Sequence, residues 1–451
     1  MRAAVEFSDA GGRGIGEASR VGTSTDDSVV PDTTTCCIVG CGPAGAMLGL
    51  MLARAGVDVV VLEKHADFFR DFRGDTVHAS TLTVLDELGL IDRFARVPQQ
   101  RTTAIAVMTD DGTTTMADFT GLPGKYPYIT MVPQWDFLDF VTGEASRYPS
   151  FRLLRNAEAY GLITQDGAVR GVRYRDARGT HELRALLTVA ADGRSSVLRR
   201  AAGLPVIELG APMDVLWYRL PKTASDPPGS FARLTPGRIL PMLDRGTYWQ
   251  GAYTMPKGSF AELKARGIDA LHQDLRQWLP FMADRVESIT DWDDVGFLEV
   301  RMNRLRRWHR PGFLCIGDAA HAMSPVGGVG INMAVQDAVA AANALIGPLL
   351  AGQLTEDDLR AVQRRREFPT RMTQRMQRIM QRAMISPALE ARHAAQLPTA
   401  ARAALRVSLL RRLLSRLIGI GFRAEHVRDI RHAASPHAPK SRPIIGPSWR
   451  R

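Results

Sequence analysis

The chain has 451 residues, 45% hydrophobic and 23% charged, the balance of an ordinary folded protein of about two or three domains. Its formal charge of +11 is concentrated at one end: residues 361–451 hold 20 Lys and Arg against 4 Asp and Glu, which leaves −5 on the first 360. The body therefore offers no basic groove for nucleic acid, and no run reaches the ~18 uninterrupted apolar residues of a membrane span.

Residues 1–33 are rich in Gly, Ser, Thr and Asp and carry no apolar run of a signal peptide, so a disordered leader is expected there. Within it, residues 11–16 (Gly-Gly-Arg-Gly-Ile-Gly) imitate a nucleotide-binding turn. The preceding segment is a poor strand and no helix–strand unit follows, so context argues against that reading. Cys36, Cys37, Cys41 and Cys315 lie in or beside apolar strands without metal-ligand spacing or a CxxC pair. Buried, reduced thiols in a cytoplasmic protein are the expectation.

The first ordered unit is the most telling. An apolar strand (Cys36-Cys37-Ile38-Val39) breaks into Gly40-Cys41-Gly42-Pro43-Ala44-Gly45, a helix follows, and a second apolar strand over 57–62 ends on the acid Glu63. Gly40 permits the tight turn, Gly42 removes a Cβ that would hold a pyrophosphate off the backbone, and Gly45 lets helix and strand approach. The helix start offers N–H groups and a positive dipole end to phosphates. Glu63 arrives about twenty residues later, where a carboxylate accepts ribose hydroxyls. Strand, glycine turn, helix, strand and acid in this order predict a dinucleotide site.

Further along, Leu82, Leu85 and Leu88 predict a helix over 80–88 stopped by Gly89. Residues 100–119 alternate around Asp110-Asp111-Gly112, a hairpin signal, and a helix opens near Gln134. A second hairpin is expected over 169–190. Residues 205–300 are richer in strands, with 215–220 and 247–253 the clearest and helical segments after 260. Residues 356–420 read as helical, and 426–451 as a basic flexible tail.

Two more strand ends stand out. Residues 186–191 form an apolar strand stopped by Asp192-Gly193, ahead of a helix; by itself this is an ordinary capped turn. Residues 312–316 form another, ending in Gly317-Asp318, then a glycine-dense loop (Pro325, Gly327, Gly328, Gly330) and a long apolar helix from about Asn332. Glycines there let backbone approach a flat ligand, and the helix start favours negative charge. The element order suggests an α/β, overall α+β, chain: a Rossmann-like nucleotide domain (34–98, 130–203, 300–355), a mostly antiparallel sheet domain inserted in it (99–129, 204–299) and C-terminal helices (356–425).

These three motifs, in this order and spacing, resemble the FAD-dependent aromatic hydroxylases of the p-hydroxybenzoate hydroxylase fold, the single-component flavin monooxygenases. The resemblance covers about residues 33–425. It implies that Gly40, Gly42, Pro43, Ala44 and Gly45 cradle the FAD pyrophosphate, with Glu63 and neighbouring Lys64 at the adenosine ribose and Arg73 contacting phosphate. It places Gln134 on the flavin, Asp192 at the pyrophosphate crossing and Asp318 on the ribityl chain. Pro325 would flank the reactive ring edge, and Gly330, Ile331 and Asn332 would turn N–H groups to its N1–C2 side. The implied reaction uses NADH or NADPH as transient donor and O2, through a flavin C4a-hydroperoxide, to hydroxylate an aromatic or phenolic molecule. The same fold also serves flavin-dependent dehydrogenases, reductases and halogenases, and a non-catalytic redox sensor is a further alternative.

Some residues stay open at this stage. His321 and Pro325 sit nearest the expected ring; for His321 a structural role competes with general-base work. His78 suits packing or capping. Trp135, Trp217, Tyr218 and Trp249 line a pocket or fill a core, and Arg219 meets a ligand anion or lies on a solvated strand. Residues 406–423 carry Leu409, Leu410, Leu413, Leu414 and Leu417 against a basic face, which fits a helix docked on its own domain or weak peripheral membrane contact. A monomer or homodimer is compatible with all of this, and no residue stands out as the substrate-activating base.

Overall fold

The structure is a computed structural model that describes residues 32–68, 76–390 and 407–428. The expected leader up to residue 31, the glycine run at 11–16, Arg73 and most of the basic tail lie outside these residues, and Thr33, counted with the leader, already opens the first strand.

A central sheet is built from parallel strands in the spatial order Phe313–Cys315, Gly179–Ala190, Thr33–Val39, Val59–Leu62 and Phe151–Leu154, with His309–Arg310 antiparallel at one edge. Its core strands are apolar and almost wholly buried. Helix Pro43–Arg54 is buried almost all round, packed between the sheet, helix Gln134–Ala145 and helix Gly330–Leu350. The second strand starts at Val59 rather than 57, since the Val57 N–H is spent on the Leu52 carbonyl in the preceding turn.

Strand Gly179–Ala190 is long enough to serve two neighbours. Its first half pairs antiparallel with Ala168–Asp176, as the Asp176–Gly179 turn predicted, and its second half joins the parallel sheet. Strands Phe151–Leu154 and Glu158–Gln165 were not legible in the sequence: the first is a four-residue edge, and the second is interrupted by Gly161.

The second large sheet has seven strands in the order Gly296–Leu298, Met213–Pro221, Tyr248–Pro256, Arg238–Asp244, Phe231–Thr235, Ala104–Thr109 and Gly112–Asp118. All its pairings are antiparallel except that between Phe231–Thr235 and Ala104–Thr109. Side chains alternate along each strand, so Leu216, Tyr218, Leu240, Met242 and Tyr253 pack under helices Phe260–Ala265 and Ile268–Trp278, while their neighbours face the first domain. A separate three-stranded sheet pairs Thr76–Val77 and Gln100–Thr102 antiparallel on either side of Ile129–Met131.

Val326–Leu350 is long and apolar enough to cross a membrane, yet 67% of its most apolar stretch is buried, so it serves as a core helix. Helix Glu356–Met380 packs on it. The last described helix, Ser408–Gly419, docks through Leu414, Ser415 and Ile418 against Phe119 and Leu122. Asp118 donates its N–H to Ser415 Oγ at 2.9 Å. Three of the five leucines in the expected apolar stripe, Leu409, Leu410 and Leu413, stay exposed.

Candidate active site

In the central sheet Val39 pairs with both Leu62 and Ala190, and Ala190 with Cys315. Four strands therefore stop on one line, and the turns after them open at the same carboxyl edge, where ligands bind in open α/β sheets. They border one cavity of about 1030 Å³. Of the residues singled out from sequence, Gly40, Gly42, Pro43, Ala44, Glu63, Lys64, His78, Gln134, Asp192, Asp318, Pro325, Gly330 and Ile331 line it, whereas Gly45, Asn332 and His321 do not.

The first turn has the tolerances its glycines implied. Gly40 sits at φ +95°, and a Cβ there would lie 2.4 Å from the Ala191 carbonyl oxygen. A Cβ on Gly45 would lie 2.0 Å from the Gly40 oxygen, so the helix could not sit this close to the strand. A Cβ on Gly42 would meet no protein atom within 4 Å. Gly42 caps helix Pro43–Arg54 without a side-chain hydrogen bond, and Pro43 needs none for its nitrogen. The helix start thus presents backbone N–H groups beside the cavity.

Glu63 is buried and accepts the Cys41 N–H on Oε2 at 2.9 Å and the His65 N–H on Oε1 at 3.2 Å, which fixes it under the glycine turn. Asp192 Oδ2 accepts the N–H groups of Val197 and Leu198, while Oδ1 is buried with no partner among the described residues. Burial raises its pKa above the ordinary carboxyl value, against these hydrogen bonds.

Several functional contacts were missed in the sequence. Arg194, two residues past Asp192, donates to Asp318 Oδ2 at 3.2 Å, joining the second and third turns. Buried Arg199 donates to the carbonyls of Ala319 and Arg194 at 3.1 and 2.9 Å and ties the same turns together from below. Asp337 is fully buried in the long helix: its Oδ2 accepts the Gly317 N–H at 3.0 Å and His321 Nε2–H at 2.6 Å, and its Oδ1 accepts Arg366 Nε–H at 2.9 Å. Burial alone would raise the Asp337 pKa, but His321 and Arg366 hold it below the ordinary value. Arg366 also reaches Glu425 in the terminal segment at 3.3 Å. The signal for this network was Gln336-Asp337, two polar residues interrupting an apolar helix.

His321 is therefore 1% exposed, directed at Asp337 and tilted against the Trp308 ring, and it does not line the cavity. Asn332 Oδ1 accepts the His78 N–H at 2.9 Å and the Thr81 hydroxyl at 2.7 Å, which anchors the long helix start to the strand Thr76–Val77 region. Thr76 donates to the Gly328 carbonyl at 2.8 Å. His78 Nδ1–H donates to the Ile418 carbonyl at 2.7 Å, leaving buried Nε2 without a partner among the described residues; burial lowers its pKa to about 4.

Beyond the glycine-dense loop the cavity widens against the inner face of the seven-stranded sheet. Of the four aromatics considered, only Trp217 lines it. Trp249 and Tyr218 are core residues, and Arg219 stacks over the Trp135 and Tyr248 rings at 5.5 and 5.0 Å. Burial pushes the thiols of Cys36, Cys37, Cys41 and Cys315 well up, so they are inert packing groups.

Three observations fit an extended dinucleotide at this edge: open space where a Gly42 side chain would stand, a helix start without a side-chain cap, and the partnerless Asp192 Oδ1. Comparison with known proteins agrees. Residues 32–376 match the FAD binding domain family model. A 6-methylpretetramide 4-monooxygenase of Streptomyces rimosus is 33% identical over 356 residues, 78% of this chain and 85% of the relative. OxyS anhydrotetracycline hydroxylase, also from Streptomyces rimosus, superposes with a TM-score of 0.70 at 21% identity, covering 86% of this chain and 76% of that one. The myxobacterial chondrochloren halogenase CndH gives 0.69 at 18% identity, covering 86% and 92%, so the fold by itself spans more than one activity. With the family model across three quarters of its length and a monooxygenase relative at one third identity, the chain belongs to the FAD-dependent aromatic hydroxylases and is a flavoprotein oxidoreductase.

Proposed function

We propose that this protein hydroxylates an aromatic or phenolic small molecule with O2, at the expense of NADH or NADPH, in the cytoplasm. The observation that carries the reading is the opening of three strand-end turns onto one edge of a cavity whose far side is an apolar sheet face. FAD, when bound, supplies hydride acceptance and activation of O2 at its C4a position; the protein supplies placement, charge and exclusion of water. Gly40, Gly42, Pro43 and Ala44 receive the pyrophosphate, with Gly45 holding the helix close to the strand behind them; Glu63 and Lys64 take the adenosine ribose, Asp192 stands at the pyrophosphate crossing and Asp318 takes the ribityl chain. Gln134, Pro325, Gly330, Ile331 and Asn332 surround the ring system, where the first-turn N–H groups of the long helix stabilise negative charge. Met323, Val326 and Ile331 keep the ring edge apolar.

A hydroxylase is favoured over a halogenase, reductase or redox sensor by the 33% identity to a named monooxygenase. The deciding experiment is purification of the yellow protein followed by a screen of phenolic compounds for faster NAD(P)H oxidation. A stimulating compound should consume O2 and yield a product one oxygen atom heavier. Stimulated oxidation with no oxygenated product from any compound, or turnover that requires halide, would replace this reading.

A further inference from the structure

Helix Ser408–Gly419 is docked with most of its leucines turned outward. A helix lying on its own domain normally directs its apolar stripe at the core. Here the buried positions are Ser415, Ile418 and Gly419. Ser415 Oγ accepts the Asp118 N–H, the Ile418 carbonyl accepts from His78, and a Cβ on Gly419 would lie 2.6 Å from the Leu122 side chain. These contacts fix the roll of the helix, so it cannot turn the other leucines inward without losing them. Leu409 and Ile418 are nine positions apart, roughly two and a half turns, and therefore point in opposite directions. Leu409, Leu410 and Leu413 are 73%, 46% and 51% exposed and share one face with half-buried Leu417. Exposed Arg412 and Arg416 border that face, and the helix holds no Asp or Glu.

Single surface leucines need no partner, but a contiguous apolar face marks a binding surface. We propose that this helix binds the surface of an anionic lipid bilayer, with Leu409, Leu410 and Leu413 in the acyl boundary and Arg412 and Arg416 at the headgroups. Charge decides between that occupant and a second copy of the chain. Two copies of this face would bring their arginines together with no acid on either helix, and like charges in contact are costly. An anionic headgroup layer suits both features: the leucines enter the acyl boundary, while the arginine stems lie along it and keep their guanidinium groups in water. The placement also concerns the site, whatever reaction the flavin serves. Ile418, on the opposite side of the same helix, lines the cavity, so a bilayer on the leucine face would stand one helix diameter, ~10 Å, from the chamber.

The test uses the full-length, flavin-loaded protein and co-sedimentation with vesicles, one set of equal parts phosphatidylcholine and phosphatidylglycerol and one of phosphatidylcholine alone. The mixed vesicles should bind the protein more tightly by about tenfold or more, since each arginine near an anionic surface contributes about fivefold. Rising salt should weaken that binding. Leu409→Ser combined with Leu413→Ser removes apolar surface without adding charge and should weaken binding by about tenfold or more. Melting temperature and bound flavin should stay unchanged in that variant, because neither side chain belongs to the chain's own core. Arg416→Gln should weaken binding by about fivefold. Tyr160→Ser, at an exposed ring on strand Glu158–Gln165, should leave it unaltered. No binding to the mixed vesicles, equal binding to both sets, undiminished binding of the leucine and arginine variants, or an equal loss in Tyr160→Ser overturns the inference. Concentration-dependent dimers that the leucine substitutions dissolve, read by sedimentation velocity, would give this face to a second copy and overturn it as well.

Discussion

At the scale of single residues, the site depends on groups whose partners lie far away in sequence. His78 is held neutral between the Ile418 carbonyl and the start of the long helix. Its folded pKa is lowered to about 4, so as pH falls below the ordinary value near 6.5 the unfolded chain takes up a proton that the folded chain refuses. Stability present above that pH is lost progressively toward pH 4, by roughly 3 kcal/mol. His78→Asn keeps a donor near the Nδ1 position but has no imidazole to titrate. Chemical denaturation at pH 7 and pH 4.5 should show the wild type losing more stability than this variant; parallel losses would refute the assignment. Asp337 makes the stronger case. Asp337→Asn would leave Arg366 and His321 buried beside a neutral amide, at about 3–5 kcal/mol for a broken buried pair. The Gly317 turn would lose its fixed acceptor as well. A lowered urea midpoint together with weaker FAD retention is expected, whereas weakened FAD retention without destabilisation would argue against a buried ionic network.

At the scale of elements, the first helix shows how two glycines in one motif do different work. Gly45 is a packing position, with the Gly40 oxygen where its side chain would be; Gly42 is a ligand position, with nothing there. Gly45→Ala should therefore lower the melting temperature of the flavin-free protein, by the ~1–3 kcal/mol of an overpacked contact or more. Gly42→Ala should leave that temperature nearly unchanged and weaken FAD binding instead. Reversal of the two outcomes, read by calorimetry and by flavin titration, would mean the turn is misassigned. The C-terminal helix is the element whose sequence pattern misled most: its leucine stripe reads as one apolar face, yet Leu414 docks while Leu409, Leu410 and Leu413 stay exposed. Ser415, a polar residue in that pattern, is among its most buried positions because it bonds across to Asp118.

At the scale of the whole molecule, three turns separated by more than a hundred residues each have to meet one ligand, so ligand binding should stabilise the entire fold. FAD at 100 times its dissociation constant should add about 2.7 kcal/mol, visible as a rise in melting temperature of the flavin-free protein. A rise of the same size in Gly42→Ala at equal FAD concentration would show that the glycine turn contributes little to that binding.

The nucleotide half was legible because its signals are local. A glycine turn, a strand-ending acid and an Asp-Gly or Gly-Asp stop each follow from the steric needs of a few neighbouring residues, and the register Val39–Leu62–Ala190–Cys315 then brings them to one edge. What only the tertiary structure decided are the long-range pairings. Asp337 with His321 and Arg366, Arg194 with Asp318, and the Ile418 carbonyl with His78 leave no periodic trace, because each partner satisfies its own helix or strand locally. The apolar cavity wall around Trp217 was hidden for the same reason: strand alternation shows that two faces exist, but only the packing of helices Phe260–Ala265 and Ile268–Trp278 on one of them leaves the other facing the cavity.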